Sequence, residues 1–204
     1  MKSFLSFLSL ITLTTIAHAG GYMCVGGDLY KPDGTKEYVG TSVCENAKVG
    51  KKYACVGEDR YKPNGTKEYV GSSACEKAVI NGGFVCIGGD LYKENGTKEY
   101  VGSSACENAN ISKGYACVSG DLYLPNGTKS WVGNDACKSA KLSKTYACVG
   151  GEFFKPNGTK EWVGTSACEK AKVGKGYACV SGDLYKPEGT KEYVGASACE
   201  KMKL

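Results

Sequence analysis

The sequence holds a single histidine, His18, and it lies within the first nineteen residues. Beyond that point there is no imidazole for acid–base work near neutral pH, for a Ser-His or Cys-His nucleophile, or for metal ligation. No Cys-x-x-Cys pair occurs either, so a zinc site is not expected. Lysine and arginine form no run, and the formal net charge of +5 is spread along the chain. Nucleic-acid binding therefore has no electrostatic footprint. After residue 19 no stretch offers the ~20 apolar residues that a membrane helix needs. These absences argue against an enzyme, a cofactor, a metal centre and a transmembrane segment.

The first nineteen residues differ from the rest. Lys2 precedes a mostly apolar stretch from Phe4 to Ala17, and Ala17-His18-Ala19 has the small-x-small form of a secretory cleavage site. We expect a signal peptide over 1–19, cut after Ala19, and a secreted, periplasmic or cell-surface protein. All twelve cysteines follow it. Export with an even cysteine count predicts disulfides.

What the chain has in abundance is repetition. Cysteines stand at 24, 44, 55, 75, 86, 106, 117, 137, 148, 168, 179 and 199, with gaps alternating 20 and 11, a period of 31. Six near-copies follow without linkers: 20–52, 53–83, 84–114, 115–145, 146–176 and 177–204. A fixed period of this size marks a repeat architecture. Corresponding positions in the six copies form columns.

In the first copy, Tyr22 to Lys31 is read as one strand, bulged at Gly26-Gly27. Pro32-Asp33-Gly34 has the chemistry of a three-residue hairpin loop, with glycine in the left-handed position. Thr35 to Val39 returns. Ser42 with Glu45 forms a capping-box pattern that opens a short helix. The pattern recurs at Ser73/Glu76, Ser104/Glu107, Ser166/Glu169 and Ser197/Glu200, while Asp135 stands alone as cap in the fourth copy. The expected fold is an α+β, disulfide-rich tandem repeat: six ββα units stacked as a compact or gently superhelical array.

Pairing Lys31 with Thr35 sets Asp28 opposite Tyr38. Alternation along one continuous strand then puts Cys24, Asp28, Tyr30 and Tyr38 on one face, and Val25, Leu29 and Val39 on the other. Both faces are partly apolar, so the second is expected to meet a neighbour. Two uniform disulfide patterns exist. Pairing between copies leaves Cys24 and Cys199 over unless the array closes into a ring. Pairing within copies uses every thiol and is preferred: Cys24–Cys44, Cys55–Cys75, Cys86–Cys106, Cys117–Cys137, Cys148–Cys168 and Cys179–Cys199. Each such loop adds about 3 kcal/mol by the chain-entropy estimate.

Several columns have both a functional and a plain reading. Asn64, Asn95, Asn126 and Asn157 begin Asn-Gly-Thr sequons, and Asn110 begins a fifth sequon. Asp33 and Glu188 replace the first four's asparagine, which favours turn chemistry over glycosylation. The Asp28 column is not read as calcium-binding, because glycine–aspartate calcium repeats recur about every nine residues. It and the Glu37 column fall on opposite faces, unlike a glycosidase pair. The Thr35 column is taken as closing the turn rather than as an ice-binding row. Two aromatic columns remain. Tyr38, Tyr69, Tyr100, Trp131, Trp162 and Tyr193 form the candidate binding row, suited to stacking on sugars or a partner. Tyr30, Tyr61, Tyr92, Tyr123, Phe154 and Tyr185 form the second. The plainer expectation is that the helix, tethered through Cys24, covers both as core.

Six copies of one patch favour avidity toward a repetitive target. The functional expectation is a non-enzymatic, multivalent binding or adhesion protein whose partner is a glycan or surface polymer. A self-associating envelope, coat or matrix protein is the main alternative. A stapled inhibitor or toxin acting through its hairpin tips is a second.

Overall fold

A computed structural model describes residues 20–93 and 95–204; the expected signal peptide lies outside them. Six small antiparallel sheets follow one another, each with a short helix and its own disulfide. The cysteines pair within copies, Cys24–Cys44 through Cys179–Cys199, and none is free. We call each sheet with its helix a layer.

The Gly26-Gly27 segment is not a bulge. Met23–Val25 and Asp28–Tyr30 are two strands of a tight hairpin, with Val25 opposite Asp28. Gly26 (φ 61°) and Gly27 (φ 91°) both occupy the left-handed region, as a two-residue turn matched to strand twist requires. Ser119-Gly120 and Ser181-Gly182 do the same with serine in the first place. The second turn forms as expected. Lys31 N donates to Thr35 O (2.8 Å), Gly34 N to Lys31 O (3.0 Å), and Asp28 faces Tyr38. The side chain at Asp33, or at its asparagine counterparts, accepts from both the amide and the hydroxyl of the threonine two residues on. That turn chemistry accounts for the Thr35 column.

The extra turn corrects the expected faces. Folding the chain back at 25–28 places Cys24 opposite Leu29 and reverses the alternation upstream. Cys24, Leu29 and Glu37 now share one face, which we call outward. Val25, Asp28, Tyr30 and Tyr38 share the other, inward face.

A second correction concerns the links between copies. Lys48–Val49 pairs with Ala54–Val56 as the first strand of the next sheet, and the four later links do likewise. Layers 2 to 6 are thus four-stranded meanders, and the first has three strands.

The capping boxes do not form. The helix of layer 1, Thr41–Glu45, begins before Ser42 reaches a capping position, and its N-cap is Gly40 (φ 99°), whose carbonyl accepts from Cys44 N. Glycine also caps layers 2, 4, 5 and 6, and no helix has a side-chain cap bond. The chain leaves the third strand through a corner that only glycine takes easily, while Val39 N and Gly40 N both donate to Gly27 O. Asp135 lies inside Asn134–Ser139 and pairs with Lys138. Layer 3 has a 3₁₀ turn, Ala105–Asn108, instead.

The outward face of each layer packs on the inward face of the next. Leu29 is fully buried against Ala54, Val56 and Tyr61, with Cys24, Val43 and Ala47 around them. Four further clusters of the same make-up fill the remaining junctions. Along the link edge, Asn81 Nδ2 donates to Ile111 O (2.9 Å) and Asn110 Nδ2 to Ala140 O (2.8 Å). The core is therefore a column of interlayer contacts; no layer has a separate centre.

Candidate functional site

The structure separates the two aromatic columns that the sequence left together. The Tyr30 column turns into the junctions: Tyr61, Tyr92, Tyr123, Phe154 and Tyr185 are buried. The Tyr38 column does the opposite. Tyr38, Tyr69, Tyr100, Trp131, Trp162 and Tyr193 are 65–78% exposed. The expectation that the helix covers these six rings fails, because the reversed alternation carries the cysteine, and the helix tied to it, to the other face.

Local packing holds these rings in place. A Cβ built on Gly27 would lie 2.8 Å from the Tyr38 ring; on Gly120, Gly151 and Gly182 the distances to Trp131, Trp162 and Tyr193 are 2.6, 2.6 and 2.9 Å. These four rings therefore rest on the bare backbone of a turn glycine, whereas Glu58 takes the glycine's place in the layer of Tyr69; all six remain largely open to solvent. Directly across the strand stands an acidic residue: Asp28, Asp59, Asp90, Asp121, Glu152 or Asp183. Each of these carboxylates is ion-paired to a lysine of the neighbouring strand, Lys36, Lys67, Lys98, Lys129, Lys160 or Lys191, at 2.6–3.1 Å. The repeating surface feature is an aromatic ring beside an Asp/Glu–Lys pair, six times over. Stacking area and hydrogen-bonding groups thus recur together.

The Glu37 column lies on the outward face and has a different task. Glu37 is held between Lys31 of its own layer (3.1 Å) and Lys67 (3.0 Å) and the Tyr61 hydroxyl (3.2 Å) of the next. Glu99 is held likewise by Lys93, Lys129 and Tyr123; Glu161 takes Lys155 and the Tyr185 hydroxyl. The Lys129 bond and then Lys93 and Tyr123 outweigh burial and hold Glu99 down to about 2. Burial, with the neighbouring Glu37 charge, pushes Tyr61 up to about 12. These ionic clusters tie layers together, so the carboxylates of this column are already engaged.

Two junctions break the pattern. Between layers 4 and 5 all three partners change at once, to Leu124, Ser130 and Phe154, and Leu124 packs with Phe154 in an apolar cluster. Between layers 2 and 3, Arg60 replaces the column's leucine. It is 3% exposed, bonded to Glu68 (2.9 Å) and stacked on Tyr92 (3.7 Å to the ring centroid), while its Nε and Nη1 have no partner. Both exceptions are visible in the repeat alignment; that these columns meet across a junction is not.

No protein-family model, curated protein or solved structure matches this chain. No helix among the described residues is long and apolar enough to cross a membrane. Six disulfides fit an oxidising, extracellular-type environment.

Proposed function

We propose that the protein is a non-enzymatic, multivalent binder of an extended glycan or similar repetitive surface polymer, and that the row Tyr38, Tyr69, Tyr100, Trp131, Trp162 and Tyr193 is its contact surface. The observation that carries this reading is the 65–78% exposure of six aromatic rings in one column. Side chains of this kind bring large apolar area and a polar tip to an interface at low entropic cost.

Chemistry and spacing both favour a polymer. Face-packed sheets repeat about every 10 Å, an interval comparable with a disaccharide in an extended chain. One ring beside an ion pair is a weak site. Six on a rigid scaffold act together, since each bound ring raises the effective concentration of the next. The Asp/Glu–Lys pair beside each ring offers acceptors and donors to hydroxyls.

The test is a glycan array followed by calorimetry on the intact protein. A polysaccharide should bind far more tightly than its own short oligomers. Trp131→Ala and Trp162→Ala should each weaken binding by about 1 kcal/mol while leaving thermal stability nearly unchanged, because both rings are mostly solvent-exposed. Equal affinity for polymer and disaccharide, or unaltered binding in the double variant, would rule out the aromatic row as the contact surface.

A further inference from the structure

We propose that the protein associates end to end with copies of itself, the outward face of the sixth layer of one molecule seating on the inward face of the first layer of the next. This does not depend on what the aromatic row binds.

The five internal junctions define what such a contact requires. An outward face presents an aromatic of the Tyr22 column, a residue of the Leu29 column and, in most layers, a Lys–Glu pair. Tyr22, Tyr53, Phe84, Tyr115 and Tyr146 are all buried, 0–6% exposed, by the layer that follows. The hydroxyls of Tyr22 and Tyr146 donate to the carbonyls of Lys62 and Lys186 in that layer, and that of Tyr115 is shared between Thr145 O (3.1 Å) and Lys155 O (3.3 Å). An inward face answers with an aliphatic of the Val56 column, and Val56, Ile87, Val118, Val149 and Val180 are likewise 0–4% exposed.

The two outermost faces carry the same groups uncovered. On the sixth layer Tyr177 is 37% exposed, Leu184 is only half-buried, and the Lys186–Glu192 pair (2.8 Å) is set as Lys31–Glu37 is. The Glu192 side chain is 52% exposed, where Glu37 and Glu99 keep 31%. On the first layer Val25 is 56% exposed. Lys36, the counterpart of the Lys67 that reaches back to Glu37, is ion-paired to Asp28 of its own layer (2.7 Å).

The faces match in shape class and in charge. Tyr177 has the Lys31 carbonyl of a second copy as the counterpart of Lys62, Leu184 has Val25, and Glu192 has Lys36. Because the two faces differ, the contact is heterologous and does not close at a dimer; it propagates as an open filament.

Sedimentation of the purified intact protein, without glycan, tests this. The wild type should show a ladder of oligomers that grows with concentration. Val25→Asp blocks one end and Leu184→Asp the other, so each variant alone should sediment as a monomer. Mixed one to one they should form a dimer and nothing larger, since the unblocked faces are complementary and both outer ends are blocked. Glu192→Lys, a change at an exposed side chain, should behave as Leu184→Asp does and covers the case in which that variant misfolds. A wild type that stays monomeric across its soluble range overturns the proposal. So does a dimer formed by either single variant alone, which would indicate a symmetric contact.

Discussion

Arg60 stands in the column that holds Leu29, Leu91, Leu122, Phe153 and Leu184 in the other layers. Its guanidinium is buried with two N–H groups unpartnered, and its one carboxylate, Glu68, is also held by Lys62 at 2.7 Å. A buried cation with incomplete hydrogen bonding carries a desolvation cost that its ion pair does not fully offset. The stack on Tyr92 returns part of it. Arg60→Leu restores the column and leaves Glu68 with Lys62. It should raise the unfolding free energy by about 1–3 kcal/mol, read by denaturant titration. A loss of stability would mean that the Tyr92 stack outweighs desolvation. The residue scale also shows what the sequence could not assign. Tyr30 and Tyr38 are the same residue type eight positions apart, and nothing local marks Tyr38 as the exposed one.

At the scale of elements, the junction between layers is the unit of design. Lys93, Glu99 and Tyr123 form one junction's cluster, and Leu124, Ser130 and Phe154 are its apolar replacement one junction on. Two of the three columns belong to one layer and the third to the next, so their joint change reflects contact across layers. Glu99→Ser alone leaves Lys93 and the Tyr123 hydroxyl without their acceptor and should destabilise by about 1–3 kcal/mol. Adding Lys93→Leu and Tyr123→Phe should recover most of that loss, because the resulting trio already exists between layers 4 and 5. Strictly additive losses in this cycle would show that the three positions do not act together. The elements also set a limit on what was legible. Pro-Asp-Gly and Pro-Asn-Gly announced their three-residue loop, because such a turn is a local matter of φ angles and one side chain. Gly26-Gly27 admitted two local solutions, bulge or tight turn, and the strand pairing that chose between them is non-local.

The whole molecule is a one-dimensional stack whose stability is a sum of layers and junctions. Disulfides hold each layer covalently, whereas junctions rely on apolar contact and on ion pairs. That division has a pH signature. Glu99 is held at about 2, against an ordinary value near 4.5, chiefly by Lys129. Glu37 and Glu161 are also lowered, their lysine partners outweighing burial, and so is Glu68, through Lys62. A carboxylate whose folded-state value is depressed stabilises the fold above its unfolded value and loses that contribution as pH falls toward the folded value. Stability should therefore decline between pH 4.5 and 2. Hydrogen exchange should show junctions 1/2, 3/4 and 5/6 opening first, and the apolar 4/5 junction responding least. Uniform exchange along the array would contradict this division.

The period of 31 and the six layers followed from the sequence alone, because cysteine spacing and repetition are properties of the chain; of the two uniform disulfide patterns the sequence favoured the within-copy one, and the structure shows it. The second turn and its register followed too, being short-range. Tertiary structure decided the rest: that each link becomes the first strand of the next sheet, that the tight glycine turn reverses the faces, and that one aromatic column is buried while its twin lies open. Such outcomes depend on which surface a neighbouring layer covers, and a surface is covered by residues a full repeat away, beyond the reach of any local pattern.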